Sequence, residues 1–296
     1  MNPKSSFSQS SRLSGEPVGE TIPLIERFPA LSIIPRVSLC ILPSPVERIP
    51  LKDREAWIKR EDLNAPACAG NKVRALEFLL GGLEPGDTVV TTGGAGSTHV
   101  LATAVHAARV GVSTIAGRWT HDMNPTAEIV ARRITTEFPA SRVSGNPIIA
   151  LIQARMRSVR KTVRYIPIGG TSPLGMLGHV NSGLELADQI TRREMPLPSA
   201  LVVPLGSGGT AAGIAAGLAI AGLTSIEVIA ARVGPRAFAN RLRVMSLARR
   251  VSRFISSIAG ERLPAVSRTQ IRVVHHVYGG AYGRPLVRSR AAAELL

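Results

Sequence analysis

Residues 201–231 read LVVPLGSGGTAAGIAAGLAIAGLTSIEVIAA, and this stretch decides the fold. It is apolar and long enough for a membrane span, but a proline and the run Gly206-Ser207-Gly208-Gly209-Thr210 interrupt it. The pattern instead predicts a strand over Leu201–Leu205, a glycine loop, a helix over Ala211–Ile220 and a second strand over Ile226–Arg232. Two strands joined through a helix predict neighbours in a parallel sheet.

The same alternation extends along the chain in both directions. Further β-rich runs predict strands at Ala56–Lys59, Asp87–Thr92, Val112–Ala116 and Tyr165–Ile168. Helical spacing of apolar residues predicts helices at Asn71–Leu80, Pro125–Thr136, Leu177–Thr191 and 244–258. On the last helix, a solvated face is predicted to hold Arg243, Arg249, Arg250 and Arg253. Strands alternating with helices predict an α/β protein with open, mainly parallel twisted sheets and helices on both faces.

Composition excludes several classes of protein. The chain has 296 residues, of which 45% are hydrophobic, and this is enough to bury a sizeable core. Residues 1–20 are rich in Ser, Gly and Pro and are predicted to form a flexible tail. The net charge is +16, but the arginines are scattered and aromatic residues make up only 4%, so we expect no specific nucleic-acid partner and no membrane partner. The presence of only Cys40 and Cys68, without an apolar signal segment, predicts a cytoplasmic location.

Three glycine-rich loops, at 93–99, 169–175 and 206–210, each join a predicted strand to a helix. Such loops present free backbone N–H groups at the positive end of a helix dipole, so each is a candidate anion site. The third loop also fits a loose dinucleotide pattern, with Glu227 about twenty residues further on. Glu227 falls at the start of its strand, however, whereas a ribose ligand belongs at the strand's end. Adjacent glycines flanked by two hydroxyls suit a single phosphate better.

Lys72 is the candidate for covalent chemistry. It stands in Ala69-Gly70-Asn71-Lys72-Val73-Arg74, at the start of a predicted helix. A buried lysine loses its proton more readily and can condense with a carbonyl group. Spacing alone also allows an ordinary surface lysine near a helix start, so the neighbouring motifs decide between the two interpretations.

The motifs around Lys72 resemble those of a known family. Ile58–Leu63 together with Gly70–Phe78 closely resembles the pyridoxal-phosphate lysine motif of the 1-aminocyclopropane-1-carboxylate deaminase / D-cysteine desulfhydrase family, which has the tryptophan synthase β-like fold (fold type II). The resemblance continues in family order over roughly residues 40–285. It includes Pro43–Val46, Thr92–Ala104, Ile166–Gly178, Gly206–Thr210 and Tyr278–Gly283.

This resemblance implies a role for each matching residue. Lys72 would hold pyridoxal 5'-phosphate covalently and would act in catalysis with Ser97 and Tyr282. Contacts to the cofactor would come from Lys72, Asn71, Thr98, Gly206, Ser207, Gly208, Gly209 and Thr210, with Thr98 standing where the family usually has Asn. The substrate would contact Ser97, Thr98, His99 and Tyr282, and no metal is implied.

The implied activity is that of a lyase or deaminase, which converts a small amino acid to a 2-oxo acid and ammonia. The resemblance also implies a homodimer and two domains, 21–84 with 190–296 and 85–189, with the cofactor in the cleft between them. The family continues to a segment whose Thr or Glu contacts the pyridine nitrogen, whereas this sequence ends at Leu296 before such a segment. A second hypothesis is therefore a truncated, catalytically impaired homologue that keeps the fold and cofactor binding.

Overall fold

The computed structural model describes residues 21–51, 54–157, 163–281 and 283–293. The strands are β1 (Val46–Leu51), β2 (Arg54–Lys59), β3 (Thr88–Gly94), β4 (Ser113–Trp119), β5 (Arg142–Ser144), β6 (Val163–Ile166), β7 (Ala200–Leu205), β8 (Glu227–Arg232) and β9 (Ile271–Val274). The helices are α1 (Pro23–Arg27), α2 (Asn71–Leu80), α3 (Thr98–Arg109), α4 (Pro125–Glu137), α5 (Pro147–Arg157), α6 (Pro173–Thr191), α7 (Gly209–Ile220), α8 (Arg241–Ala259) and α9 (Val287–Ala293).

The strands form two parallel sheets and one hairpin. One sheet has the order β5-β4-β3-β6 and the other has the order β7-β8-β9, with all neighbours parallel. The antiparallel pair β1-β2 stands apart from both sheets. Because strands in each sheet run the same way, their carboxyl ends and the loops that follow them lie along one edge. The prediction of an α/β fold with open parallel sheets is confirmed.

The largest core cluster forms around α6 and α7. Nearly every residue of α7 is buried, as expected for a helix that is apolar on all sides. Helix α6 packs against both α7 and α2, and it contributes Met176, Leu177, Val180 and Leu184 to the core that also covers the β7-β8-β9 sheet. This packing places the start of α2, which carries Lys72, close to the start of α7.

Most predicted elements are confirmed with bounds that differ by up to four residues, and two of these differences have a clear local cause. The strand predicted at Tyr165–Ile168 ends at Ile166, because Pro167 follows and a short 3-10 turn then covers Ile168–Gly170. The helix predicted from Leu177 begins at Pro173, because Ser172 caps it by accepting a hydrogen bond from the Gly175 N–H at 3.1 Å. The predicted tail at 1–20 lies outside the described residues.

The division into domains 85–189 and 21–84 with 190–296 remains a prediction. The first sheet lies between residues 88 and 166 and the second between residues 200 and 274. Helix α6 belongs to the first range by sequence but packs mainly on α7. Among the described residues, no helix combines the length and the apolar character needed to cross a bilayer.

Candidate active site

Lys72 occupies the second position of α2, and protein surrounds most of its side chain. Its Nζ donates a hydrogen bond to Asn71 Oδ1 at 3.1 Å. Burial disfavours the charged form and lowers the pKa of the Lys72 ammonium to about 8. A substantial neutral fraction is therefore present near pH 7.5, which is the form that condenses with an aldehyde.

The start of α7 is a buried helix end without a side-chain cap. Its N-cap is Gly208, whose φ of +93° is left-handed and favours glycine. The first intrahelical bond runs from Ala212 N to Gly208 O, so the N–H groups of Gly209, Thr210 and Ala211 have no partner within the helix. A buried, uncapped start of this kind is suited to bind an anion.

Hydroxyl groups surround this uncapped start. Thr171 Oγ1, from the second glycine loop, donates to Ser207 Oγ at 2.7 Å. A Cβ placed on Gly209 would lie only 2.9 Å from Thr171 Oγ1, so the two loops are in direct contact. The second and third predicted anion loops therefore form one site rather than two, and backbone N–H groups and hydroxyls line it.

Asn71 connects the lysine to this anion site. Its Oδ1 accepts from Lys72 Nζ at 3.1 Å, and its Nδ2 donates to Thr210 Oγ1 at 2.8 Å. Residues 71 and 210 are 139 positions apart in sequence, so only the fold brings them together. A reactive amine and a phosphate-type site thus share one short hydrogen-bonded path.

The first glycine loop begins α3. Ser97 caps the helix by accepting from Val100 N at 3.4 Å, and Thr98 is exposed at the first helical position. The His99 ring is buried, and its Nε2 donates to Thr91 Oγ1 at 3.0 Å, because that hydroxyl already donates to the Ile166 carbonyl at 2.9 Å. Burial, with a smaller contribution from the charge of Lys72, lowers the pKa of His99 to about 3. His99 is therefore neutral at physiological pH.

A buried ion network anchors the helix that carries Lys72. The Arg74 guanidinium, 1% exposed, makes paired hydrogen bonds to the carboxylates of Glu61 (2.6 and 2.7 Å) and Glu185 (3.0 Å each). Lys59 Nζ also donates to Glu185 Oε1 at 2.6 Å, and Ser44 Oγ accepts from Arg74 at 2.9 Å. Two cations and two carboxylates balance, which makes burial of the charges tolerable. The network fixes α2 against α6 and the hairpin.

The structure does not support the dinucleotide alternative. Glu227 is the first residue of β8 and pairs with Ala200, the first residue of β7. The glycine loop follows Leu205, at the opposite end of β7. Five residues of strand separate the two places, which is roughly 16 Å. Glu227 is instead engaged with Arg272 through hydrogen bonds of 2.7 and 2.9 Å. Among the described residues, no group of His, Cys, Asp and Glu is arranged to hold a metal ion.

Comparison with known proteins agrees with this geometry. The family model for pyridoxal-phosphate dependent enzymes matches residues 37–296. The chain belongs to this family. It is therefore a pyridoxal-phosphate-dependent enzyme, and the predicted cofactor is confirmed.

Comparison with individual proteins shows which members of the family this chain is similar to. The chain is 34% identical over 287 residues to nocardicin C-9' epimerase of Nocardia uniformis subsp. tsuyamanensis and 33% identical over 282 residues to D-cysteine desulfhydrase of Salmonella choleraesuis (strain SC-B67). Each match covers 90% of this chain and 82% of the relative. A solved homologue of 1-aminocyclopropane-1-carboxylate deaminase superposes with a TM-score of 0.68 at 25% identity, covering 83% of this chain and 76% of the other. The family resemblance stated from the motifs is confirmed.

The residues present fit pyridoxal phosphate. The cofactor carries an aldehyde, which needs a primary amine with a lowered pKa, and a phosphate, which needs converging N–H and O–H donors. Lys72 would supply the amine, and the start of α7 with Thr171, Ser207 and Thr210 would supply the donors. The individual cofactor contacts of Asn71, Thr98 and residues 206–210 remain predictions.

The other predicted site residues are Ser97, Thr98, His99 and Tyr282, and the structure describes the first three of them. Ser97 and Thr98 lie at the start of α3, where the N–H groups of Thr98 and His99 have no partner within the described residues, while the His99 ring points into the protein toward Thr91. Substrate contacts by these three residues remain predictions. Tyr282 lies outside the described residues. Its neighbour Gly283 is described, and the Gly283 carbonyl accepts from Asn124 Nδ2, at the start of α4, at 2.7 Å.

Two residues near the anion site were missed from the sequence. Arg243 was predicted to be solvated, but it is partly buried and its Nε donates to the Ser207 carbonyl at 3.1 Å, so that prediction is wrong for this residue. The Nε2 atom of His179 lies 3.4 Å from Thr210 Oγ1. Burial, aided by the charges of Lys72 and Arg74, lowers the pKa of His179 to about 3. Neither residue belongs to a local motif, so only the packing of α6 and α8 reveals them.

We expect Arg243→Gln to weaken cofactor binding about five- to tenfold, because the variant loses a charged hydrogen bond that holds the phosphate loop and a cation beside it. The control is Arg249→Gln, on the exposed side of the same helix. Fluorescence titration of cofactor-free protein with pyridoxal phosphate measures both affinities. Equal affinities of the two variants would contradict the assignment.

A cavity of about 800 Å³ adjoins the site between β2 and β7. Asn71, His179 and Thr210 line its inner end, and residues of β7 such as Val202 line its outer wall. Lys72 is not among its lining residues. The cavity therefore borders the anion side of the site, and the donor groups rather than this cavity mark the position of the cofactor.

Proposed function

We propose that this chain is a lyase or deaminase that acts on a small amino acid, like D-cysteine desulfhydrase or 1-aminocyclopropane-1-carboxylate deaminase, and releases a 2-oxo acid and ammonia. The observation that carries the proposal is the path from Lys72 Nζ through Asn71 to Thr210 at the uncapped start of α7. Relatives with these activities support the choice of substrate class.

Different groups of the site would bind the substrate and transfer its proton in such a reaction. When bound, the pyridine ring supplies an electron sink for the bond broken at the substrate's α carbon. Lys72 would hold or accept the proton at Nζ, for which a pKa of about 8 is well matched. The N–H groups at the start of α3 would hold the substrate carboxylate, and this contact orients the α C–H bond.

The two buried histidines do not carry the proton. With pKa values near 3, His99 and His179 are neutral at pH 7 and poor proton acceptors. Both lie close enough to Lys72 for its charge to depress their pKa values further. Their neutrality avoids placing a second buried cation beside the amine. The proposal therefore assigns proton transfer to Lys72, with Ser97 as a hydroxyl beside the proposed carboxylate site.

The test is a product assay on the loaded protein. Purified protein saturated with pyridoxal phosphate is incubated with D-cysteine, L-cysteine and 1-aminocyclopropane-1-carboxylate, and 2-oxo acid and ammonia are measured together. Equimolar release of both products from at least one substrate is expected. Chiral chromatography runs in parallel, because one relative is an epimerase.

Three results would contradict the proposal in different ways. Inversion of configuration without 2-oxo acid would indicate an epimerase. A loaded protein that is inert toward the whole panel would support the impaired homologue. Failure to bind the cofactor at all would remove the assignment of Lys72 and α7 as its site. A cytoplasmic location and a homodimer also belong to this proposal, and size-exclusion chromatography with light scattering tests the dimer.

A further inference from the structure

Arg118 is a buried arginine without a carboxylate partner. It lies on β4 opposite Gly93 of β3 and is 2% exposed. Its guanidinium donates to the carbonyl oxygens of Ala95 (3.2 Å) and Ala131 (3.5 Å) and to Thr135 Oγ1 (3.0 Å), while its Nε has no partner. Among the residues that the structure describes, no acidic group pairs with it, and burial lowers the pKa of Arg118.

The lack of a carboxylate partner distinguishes Arg118 from Arg74, the other fully buried arginine described above. Arg74 is matched by two carboxylates, Glu61 and Glu185. A buried charge without a counter-ion is unfavourable, and a neutral side chain could fill the same space at less cost. A role for the positive charge at this place would account for the difference.

The contact with Ala95 determines the orientation of the first glycine loop. The Ala95 N–H donates to the Trp119 carbonyl at 2.8 Å, and the Ala95 carbonyl accepts from Arg118, so this residue is held at both ends. In a trans peptide, the carbonyl and the following N–H point in opposite directions. Holding the Ala95 carbonyl toward Arg118 therefore turns the Gly96 N–H to the opposite side of the loop.

The loop also packs tightly against α4. A Cβ on Gly96 would lie 2.4 Å from the Ala127 carbonyl oxygen, so the loop rests directly on α4. In the described part of the chain, the N–H groups of Gly96, Thr98 and His99 form no hydrogen bonds with protein atoms. Three N–H donors without a partner thus lie at and just before the start of α3. The Arg118 guanidinium, which has no carboxylate partner among the described residues, contacts the same loop at Ala95.

We propose that Arg118 is a positioning residue for the substrate carboxylate. It aims the Gly96 N–H at the carboxylate by holding the Ala95 carbonyl, and its charge is compensated when the carboxylate binds on the other side of the loop. This inference rests on the proposed function, because it takes an amino acid as the ligand. On this inference, Arg118 is the residue that makes the site prefer an amino acid over the corresponding uncharged amino-acid amide.

The experiment compares an acid with its amide in the loaded protein. D-alanine and D-alaninamide have the same amine and the same side chain, and the change in cofactor absorption on binding gives both dissociation constants. The variants are Arg118→Met, Arg118→Lys and, as control, Arg132→Gln at an exposed position on α4. Arg118→Met should weaken binding of the acid about tenfold and leave the amide within about twofold. Arg118→Lys should recover part of the preference, and Arg132→Gln should not change it.

Each other outcome overturns the inference. Equal weakening of acid and amide by Arg118→Met would indicate a purely structural role, and no weakening would show that the loop holds its orientation without the guanidinium. An unmodified protein that does not prefer the acid would also refute it. The proposed reaction can fail separately: an Arg118-dependent preference for the acid in a protein that forms no 2-oxo acid would leave the inference standing.

Discussion

Lys72→Ala should abolish the visible absorption of the loaded protein and reduce turnover by about 10³-fold or more, because it removes the proposed covalent anchor and the proposed proton acceptor. Lys72→Arg should fail in the same way, since the guanidinium retains its proton and cannot condense with an aldehyde. The measurements are the absorption spectrum, the site of label after borohydride reduction, and the rate of 2-oxo acid release.

Two controls keep this result interpretable. Both variants should show the circular dichroism of the unmodified protein and should still bind free phosphate ester weakly, because the start of α7 is unchanged. A Lys72→Ala protein that keeps the absorption band, with borohydride label on another lysine, would refute the assignment of the reactive amine.

The lowered pKa of Lys72 also predicts a stability effect of definite sign. The amine has a pKa of about 8 when folded and about 10.5 when unfolded, so the unfolded chain binds more protons between these values. Below pH 8 the cofactor-free protein is destabilised by the buried charge, and this penalty disappears as pH rises from 8 to 10.5. Lys72→Met should therefore be more stable than the unmodified protein at pH 7, by urea denaturation, with an advantage that shrinks through this window.

Arg74→Leu should lower the free energy of unfolding by about 3–5 kcal/mol, because it leaves the buried carboxylate of Glu185 and the partly buried carboxylate of Glu61 without their main partner. The matched control is Arg60→Gln, which removes surface pairs with Asp62 and Glu47 and should cost less than about 1 kcal/mol. Urea denaturation at pH 7 measures both. Similar losses in the two variants would show that burial of the network contributes nothing.

The effect of Arg74→Leu should depend on pH. Burial tends to raise the pKa of Glu185, but hydrogen bonds from Arg74 and the charges of Arg74 and Lys59 outweigh burial and hold this pKa below its ordinary value. In the unmodified protein, the stability contributed by this depressed pKa is fully present above about pH 4.3 and is lost as pH falls through the folded value. Without Arg74, burial dominates and the carboxyl prefers its proton. The deficit of the variant should therefore be smaller near pH 4 than at pH 7.

The start of α2 illustrates what could be predicted from the sequence. The helix over Asn71–Leu80 was predicted with its observed bounds, and Lys72 was singled out, because Gly70 and the apolar spacing that follows are local signals. The three glycine loops were found for the same reason. The merging of the loops at 169–175 and 206–210 into one anion site was not predicted, because that requires the contact between Thr171 and Ser207.

Arg243 and Arg118 show what the sequence alone does not reveal: the prediction for Arg243 is wrong, and Arg118 was not singled out. Arg243 shares a helix face with three other arginines, and nothing in its neighbourhood separates it from them, yet it alone among those four donates to the loop at Ser207. Arg118 lies in a short strand where a charged residue suggests exposure, but α4 covers it. The environment of each side chain depends on packing against another element: the glycine loop before α7 for Arg243, and α4 for Arg118.

The amino-acid sequence by itself determined the family and most of the succession of strands, glycine loops and helices, and it singled out Lys72 as the candidate reactive amine. These depend on patterns within about ten residues, where backbone preference and apolar spacing act. Only the tertiary structure decided that Asn71 meets Thr210, that Arg74 is neutralised by Glu61 and Glu185, and that Arg118 has no counter-ion. Such contacts depend on the order of strands and the packing of helices, which bring Asn71 to Thr210 across 139 positions and Arg74 to Glu185 across 111.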